Sequence, residues 1–368
     1  MPRTPLDLPD FPWDALVPHA EKARSHPDGI VDLSVGSPVD ATPAVIRDAL
    51  VAATDAHAYP LTAGTPALRQ AIVDWYARRR GVTLTTEQVL PTIGSKELIG
   101  LLPVFLGLGA GDAVVFPEVA YPTYALGAAI VGAQAIACDD PAQWPENTRL
   151  VWLNSPGNPD GRVLDVEGLR VAVARARELG AVIAGDECYA ELGWEGEWAT
   201  RPTPCILDSR VVGDRLDGVV SVYSLSKQSN LAGYRAGFVA GDPAVIGQLL
   251  AVRKHAGLMP PAPVQEAMRV ALGDDAHVAE QKALYRARRA ALAPALEGAG
   301  FRIDHSEAGL YLWVTRDEDA WQSAAWLAER GILVAPGSFY GAEGGRHVRV
   351  ALTTTDERIA AAVERLEH

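Results

Sequence analysis

The middle of the chain alternates short apolar runs with amphipathic stretches. The apolar runs are AVVFP, RLVWL, AVIAG and GVVSVYS, near residues 113–117, 149–153, 181–185 and 218–224. Short apolar runs bounded by turn residues are typical of strands buried on both faces of a parallel sheet. Asp165 and Gly180 bracket a helical pattern between two of these runs, which predicts a βαβ unit with a right-handed crossover. We therefore predict an α/β protein with a large αβα domain around a mainly parallel sheet.

The two ends of the chain follow different patterns. Thr65 and Pro66 are typical of a helix start, and apolar residues recur at helical spacing from there to Gly81. After about residue 260, helical stretches alternate with LYLWV, ILVAP and HVRVAL, which indicates a smaller α+β domain. We predict three segments: an N-terminal arm with part of the small domain (1–44), a large domain (45–258) and a C-terminal small domain (259–368).

Composition and charge exclude several classes of protein. The 368 residues are 48% hydrophobic and 21% charged, as in globular proteins. Lys and Arg number 33 against 46 Asp and Glu, so the net charge of −13 argues against nucleic acids and anionic membranes as partners. An acidic ligand would need particular Arg or Lys side chains at its site.

Cysteine and histidine usage adds further expectations. Cys138, Cys188 and Cys205 form no CxxC motif and cannot all pair, which favours free thiols in a reducing compartment. The eight histidines are scattered, and we expect no metal site. The N-terminus lacks the apolar stretch of a signal peptide and no run is long enough to cross a bilayer, so we expect a soluble cytoplasmic protein.

The segment YSLSKQSNLAGYRAGF, residues 223–238, carries the strongest chemical signal. Lys227 follows the carboxyl end of a predicted strand, the edge at which open α/β sheets bind ligands. Partial burial there would lower the pKa of the amine from about 10.4 and let it form an imine. An ordinary solvated lysine is the alternative, but Ser224 and Arg235 add a hydroxyl and a guanidinium fork suited to a phosphate. The combination favours a phosphate-bearing aldehyde cofactor.

Two more segments follow strand ends. Asp186, in GDECY, is placed to pair with a protonated pyridine nitrogen, and the alternative is a helix N-cap. Asn158, in NSPGNPDG, and Tyr189 are placed to donate hydrogen bonds to a phenolate-like oxygen, whereas Asn158 could also belong to an ordinary loop.

Other residues extend the candidate site. A predicted helix begins at Gly94, Ser95 and Lys96. The backbone N–H groups at such a helix start can bind a phosphate, and the alternative is ordinary helix capping. Tyr121 could stack on a planar ring or pack in the core. Arg349 is a lone charge on an alternating strand, either on an exposed face or as a bidentate clamp for a substrate carboxylate.

Together these segments resemble the fold-type I pyridoxal-phosphate (PLP) enzymes, specifically the class I/II aminotransferases, over nearly the whole chain. The resemblance implies that Lys227 bonds the cofactor, Asp186 pairs with its pyridine nitrogen, and Arg349 binds the substrate α-carboxylate. It also implies that Asn158 and Tyr189 bind the ring hydroxyl, that Tyr121 stacks on the ring, and that the phosphate is held by Ser95, Lys96, Ser224 and Arg235. Gly36, in DLSVGSP, would lie beside the substrate. Tyr59, in HAYPLTAG, would reach the phosphate of the neighbouring subunit in a homodimer. The family's Asn-Pro-Thr-Gly reads Asn-Pro-Asp-Gly at 158–161, which puts only the local loop geometry in doubt.

At finer grain, VDLSVGSPVD, PTIGSKELIG, SLSKQSNLAGYRAGFVAGDP and RIDHSEAGLYLW resemble actinobacterial N-succinyldiaminopimelate aminotransferases. This similarity implies ping-pong amino transfer between glutamate/2-oxoglutarate and N-succinyl-LL-2,6-diaminopimelate/N-succinyl-2-amino-6-oxopimelate in lysine and diaminopimelate biosynthesis, with Lys227 as tether and base. The alternatives are an aminotransferase for aspartate or LL-diaminopimelate, a carbon–sulfur lyase, and a PLP-sensing regulator. Arg253 and Lys254 are candidates for a second anchor of a distal carboxylate.

Overall fold

The computed structural model describes residues 12–367. In the N-terminal half the elements are α1 (Val17–Arg24), β1 (Val31–Asp32), α2 (Ala44–Ala52), α3 (Pro66–Trp75), β2 (Val89–Ile93), α4 (Gly94–Phe105), β3 (Ala113–Phe116), α5 (Thr123–Val131), β4 (Gln134–Ala137), β5 (Thr148–Asn154), α6 (Val166–Glu178) and β6 (Val182–Asp186). They continue with α7 (Ser209–Val212), β7 (Val219–Ser224), α8 (Leu225–Gln228), β8 (Ala236–Gly241), α9 (Pro243–Ala256), α10 (Ala262–Gly273), α11 (Ala276–Gly298), β9 (Arg302–Ile303), β10 (Tyr311–Thr315), α12 (Ala320–Glu329), β11 (Ile332–Leu333), β12 (Ala335–Pro336), β13 (Val348–Ala351) and α13 (Asp356–Leu366).

A seven-stranded sheet forms the centre of the large domain, in the order β2-β8-β7-β6-β5-β3-β4. Neighbours pair in parallel except at β8, which is antiparallel to both β2 and β7. The four predicted apolar runs become the adjacent strands β3, β5, β6 and β7. The predicted α/β fold class is therefore confirmed.

The predicted helix ends also match the structure. The Thr65 side chain accepts a hydrogen bond from the Leu68 N–H (3.1 Å), and Pro66 opens α3. A π-helical turn at Tyr76–Arg80 continues it and ends at Gly81, where φ is +67°, a conformation in which glycine has no Cβ to clash. Asp165 caps α6 by accepting from Gly168 N–H at 2.7 Å.

A smaller antiparallel sheet, with strand order β12-β13-β10-β9, forms the centre of the small domain. Apolar side chains of its strands β10 and β13 form one hydrophobic cluster with side chains of α11, α12 and α13. The N-terminal β1 pairs in parallel with β11, so residues near 31–33 lie against the small domain. Of the predicted arm, residues 1–11 lie outside the described chain.

Helix α10 lies on the C-terminal side of the predicted boundary at residue 258 but packs with the large domain. Val264, Met268 and Leu272 belong to the same hydrophobic cluster as Leu68 and Ile72 of α3. We propose that the large domain extends through α10, so that the small domain begins with α11.

Three further observations concern residues 12–367. No helix among them is both long and apolar enough to span a bilayer. The same residues contain no group of three or more His, Cys, Asp or Glu side chains arranged to hold a metal ion. Cys138, Cys188 and Cys205 are free thiols, as predicted.

Candidate active site

A cavity of about 1120 Å³ opens at the carboxyl ends of the central strands, with small-domain residues on its opposite side. Eleven of the twelve predicted site residues line it: Gly36, Ser95, Lys96, Tyr121, Asn158, Asp186, Tyr189, Ser224, Lys227, Arg235 and Arg349. The exception, Tyr59, lies outside this lining with its side chain 98% exposed. The carboxyl ends of the central strands thus bring residues from distant parts of the sequence to one place.

Lys227 lies in the short helix α8, directly after β7. The Ser224 hydroxyl caps this helix by accepting from the Ser226 N–H at 3.2 Å. The Lys227 Nζ donates a hydrogen bond to the carbonyl of Gly36. Burial lowers the pKa of the Lys227 amine, because a charged ammonium loses hydration there. The amine is therefore deprotonated more readily than an ordinary surface lysine.

Asp186 is the last residue of β6 and is buried. Its Oδ2 accepts a hydrogen bond from the Tyr124 hydroxyl at 2.8 Å, and its Oδ1 accepts from the Cys188 N–H at 3.3 Å. Burial raises the pKa of this carboxyl, and its hydrogen-bond partners within residues 12–367 are uncharged. No helix begins there in the described chain, so the N-cap alternative is wrong.

Arg349, on β13, is only 3% exposed, which excludes the alternative of an exposed strand face. Its Nη1 donates to the side-chain oxygen of Asn158 at 2.9 Å, and its Nη2 donates to the carbonyl of Ser34 at 2.6 Å. Because Asn158 accepts with its oxygen, its amide NH₂ remains a donor for another group. The Asn158 N–H is itself held by the Asn154 side chain at 2.8 Å.

The phosphate-type donors lie where β2 turns into α4. Gly94 has φ = +71°, and a Cβ at this position would be 2.9 Å from the Arg235 Cζ. Glycine suits this position because it adopts the positive φ freely and leaves room for the Arg235 guanidinium against the start of α4. The hydroxyls of Ser224 and Ser226 are 2.9 Å apart, and both residues line the same cavity. This set of hydroxyls, guanidinium and helix N–H groups suits a phosphate ester.

Tyr121 precedes α5 and is half-buried at the cavity wall. Its ring meets the Tyr124 ring edge-on, with centroids 6.0 Å apart, and the Lys96 ammonium lies 5.8 Å from its centroid. Part of the ring also packs against the core, so the two sequence interpretations of Tyr121 are not exclusive.

Sequence reasoning missed several aromatic residues of the site. Tyr311 and Tyr340 line the cavity and flank Arg349, whose Cζ lies 3.9 and 4.9 Å from their ring centroids. Tyr124 holds Asp186 and stacks on Trp152 at 5.2 Å. Nothing in the sequence distinguishes these residues from ordinary core aromatics, because their role depends on packing between distant segments.

Comparison with known proteins agrees with this geometry. The family model of class I and II aminotransferases matches residues 28–366. The chain belongs to this family. It is 57% identical over 361 residues to the 4-dedimethylamino-4-oxo-anhydrotetracycline transaminase OxyQ of Streptomyces rimosus, covering 98% of this chain and 99% of that protein.

Two further relatives carry diaminopimelate in their names. An LL-diaminopimelate aminotransferase of Desulforudis audaxviator is 33% identical, over 92% of this chain and 89% of its own. The structure of a probable N-succinyldiaminopimelate aminotransferase from Thermus thermophilus aligns with a TM-score of 0.87 and 28% identity, over 97% of this chain and 99% of the other. This aminotransferase is therefore similar to enzymes with different named substrates.

Class I and II aminotransferases depend on PLP, and the cavity fits that cofactor. The buried Asp186 carboxylate has only uncharged hydrogen-bond partners among residues 12–367, which suits a protonated pyridine nitrogen. The donor set around Gly94 and Arg235 suits the phosphate, and Lys227 offers an amine whose pKa burial has lowered.

Proposed function

We propose that this aminotransferase moves an amino group between glutamate/2-oxoglutarate and N-succinyl-LL-2,6-diaminopimelate/N-succinyl-2-amino-6-oxopimelate. The observation that carries the amino-transfer chemistry is the convergence of Lys227, Asp186 and Arg349 on one cavity. The acceptor is supported by the segment similarities of the sequence and by the diaminopimelate relatives.

In this proposal PLP, when bound, supplies a carbonyl carbon for the substrate amine and a ring that withdraws electrons from the substrate α-carbon. The Asp186 carboxylate pairs with the ring nitrogen and keeps it protonated. The Asn158 amide and the Tyr189 hydroxyl donate to the ring oxygen, Tyr121 stacks on the ring, and the phosphate is held by Ser95, Lys96, Ser224 and Arg235.

The remaining residues act on the substrate. The Arg349 guanidinium binds the α-carboxylate, next to the Gly36 backbone, and fixes which bond at the α-carbon faces the cofactor. The Lys227 Nζ then removes or returns the proton at that carbon, for which its burial-lowered pKa prepares it. The Gly36 carbonyl, which accepts from Nζ, orients the amine.

The distal part of the acceptor meets a different environment. The prediction that Arg253 anchors a distal carboxylate is wrong. Its side chain is fully buried, pairs with Glu97 at 2.7 Å and does not line the cavity. Lys254 does not line the cavity either. Glu118 and Glu343, both exposed, line it together with apolar side chains such as Phe116 and Phe339.

This lining favours one second candidate, an acceptor with an uncharged, ring-containing distal part. The specific observation is the 57% identity to a transaminase named for a tetracycline ketone, together with the apolar side chains in the cavity lining. The two acceptors differ strongly in charge, so they can be told apart directly.

An acceptor panel tests the proposal. With glutamate as donor, kcat/KM is measured for N-succinyl-2-amino-6-oxopimelate, oxaloacetate and 4-dedimethylamino-4-oxo-anhydrotetracycline, and LL-diaminopimelate is tested with 2-oxoglutarate. We expect the succinylated acceptor to exceed the others by about 10-fold or more, in line with the segment similarities that support it. A higher value for the tetracycline ketone would establish the second candidate instead.

We also propose a homodimer in which Tyr59 reaches the phosphate of the neighbouring subunit. Tyr59 is 98% exposed, although tyrosine is largely apolar. Exposed apolar side chains are concentrated in the same part of the chain: Val35, Val39, Val45, Val51 and Leu61. Such clusters are typical of interfaces between proteins.

Mixing two impaired variants tests this arrangement. Tyr59→Ala and Lys227→Ala chains, unfolded and refolded together, should recover about a quarter of wild-type activity, because half of the dimers are mixed and each mixed dimer has one intact site. Each variant refolded alone is the control. If Tyr59 served the site of its own chain, mixing would restore no activity.

A further inference from the structure

Tyr311 lines the cavity between Arg349 of the small sheet and Tyr189, which follows a strand of the large sheet. It is the first residue of β10, where it pairs with Ala351 of β13, while Trp313 pairs with Arg349. Side chains two residues apart on a strand share a face, so Tyr311 and Arg349 are diagonal neighbours. The Arg349 Cζ lies 3.9 Å from the Tyr311 ring centroid, a cation–π contact in a buried environment.

The hydroxyl end of Tyr311 contacts a different part of the site. It is 3.2 Å from the hydroxyl of Tyr189, the residue proposed to bind the cofactor's ring oxygen. Burial raises the pKa of Tyr189, so this hydroxyl keeps its proton and can donate it in a hydrogen bond. If Tyr189 donates to the ring oxygen, it accepts from Tyr311, and the two hydroxyls form a chain of donors.

Tyr311 also defines the position of the loop opposite Lys227. A Cβ at Gly36 would be 2.8 Å from the Tyr311 Cζ, so only glycine allows this close approach. The carbonyl of the same glycine accepts the hydrogen bond from Lys227. One buried tyrosine therefore touches the guanidinium, the ring-oxygen donor and the loop that orients the lysine.

We infer that Tyr311 is a positioning residue that couples substrate-carboxylate binding at Arg349 to cofactor binding at Tyr189, with its ring serving the first and its hydroxyl the second. The inference rests on the proposed roles of Arg349 and Tyr189. It predicts that the two contributions can be separated by substitution.

Two variants separate them. Tyr311→Phe keeps the ring face on Arg349 and removes the hydroxyl, and Tyr311→Leu removes both. The matched control is Tyr76→Phe, which removes another buried hydroxyl–hydroxyl hydrogen bond, 2.9 Å to Ser221, outside the cavity lining. The readouts are the pH midpoint of the visible absorbance band of the PLP-loaded protein and the KM for glutamate.

For Tyr311→Phe we expect the pH midpoint of the absorbance band to rise by about half a unit or more. A weaker hydrogen bond from Tyr189 stabilises the negative charge on the ring oxygen less, so the protonated form of the bound cofactor persists to higher pH. The KM for glutamate should stay within about two-fold, since the cation–π contact remains. Tyr311→Leu should show the same midpoint shift and raise KM by about five-fold or more. Tyr76→Phe should change neither readout.

Other outcomes overturn the inference. An unshifted midpoint in Tyr311→Phe, or an equal shift in Tyr76→Phe, would show that the hydroxyl of Tyr311 has no positioning role. A KM as high in Tyr311→Phe as in Tyr311→Leu would show that the ring does not act through Arg349. A wild-type protein that forms no Lys227-dependent band would instead contradict the proposed function itself.

Discussion

Replacing Lys227 by alanine should lower kcat for glutamate transamination by about 10³-fold or more. Within residues 12–367, Lys227 alone combines a position after β7, contact with the Gly36 carbonyl and a pKa lowered by burial. Under the proposed mechanism, the variant lacks both the bond to the cofactor and the base that moves the α-proton. The measurement is steady-state formation of 2-oxoglutarate at saturating PLP.

Two controls make this result specific. Lys227→Arg restores a cation but not an imine-forming amine, so it should be as inactive as the alanine variant. Lys254→Ala removes an exposed lysine outside the cavity and should retain wild-type turnover. Normal turnover in Lys227→Ala would contradict the assignment of Lys227 as the catalytic base.

The same amine predicts the direction of the pH dependence. Because burial lowers the pKa of Lys227, the neutral amine persists to lower pH than in an ordinary lysine. Activity that depends on the neutral amine falls as the pH drops through this lowered pKa, since the protonated amine cannot accept a proton.

Replacing Asp186 by asparagine should lower kcat by about 10²-fold or more, with a smaller effect on the KM for glutamate. Asparagine has nearly the same shape but no charge, so it cannot keep the pyridine nitrogen protonated. Its side-chain oxygen can still accept from the Cys188 N–H, and its NH₂ group can donate to the Tyr124 hydroxyl, which accepts as well as donates. The effect should therefore fall on electron withdrawal rather than on folding.

Asp165→Asn is the matched control, because it makes the same chemical change at the N-cap of α6, where Asn caps as well as Asp. Its kcat should equal that of the wild type. Unchanged kcat in Asp186→Asn would mean that the buried carboxylate has a structural role only. Urea unfolding of both variants shows whether stability differs between them.

Much of the fold was predictable because the sequence carries local signals for it. Buried parallel strands read as short apolar runs, and their carboxyl ends meet at one edge. Lys227, Asp186 and Asn158 follow such runs directly, so their convergence could be expected from chain order. The caps at Thr65 and Asp165 likewise depend on neighbouring residues only.

Contacts made between distant segments could not be predicted in the same way. Tyr311 and Tyr189 are 122 residues apart and meet only because the small domain packs over the sheet edge. The pattern of LYLWV shows a buried strand but not what its first tyrosine touches. Helix α10 has an apolar face that would suit either domain, and its packing on α3 is a tertiary choice.

The most direct test of the central claim is the visible absorbance of the purified protein with added PLP, before and after glutamate, with Lys227→Ala measured alongside. A band that depends on Lys227 and shifts when glutamate is added is the predicted result, since it shows the lysine–cofactor bond and the first half-reaction together. A wild-type protein that forms no such band, or a Lys227→Ala protein that forms the same one, would contradict the account.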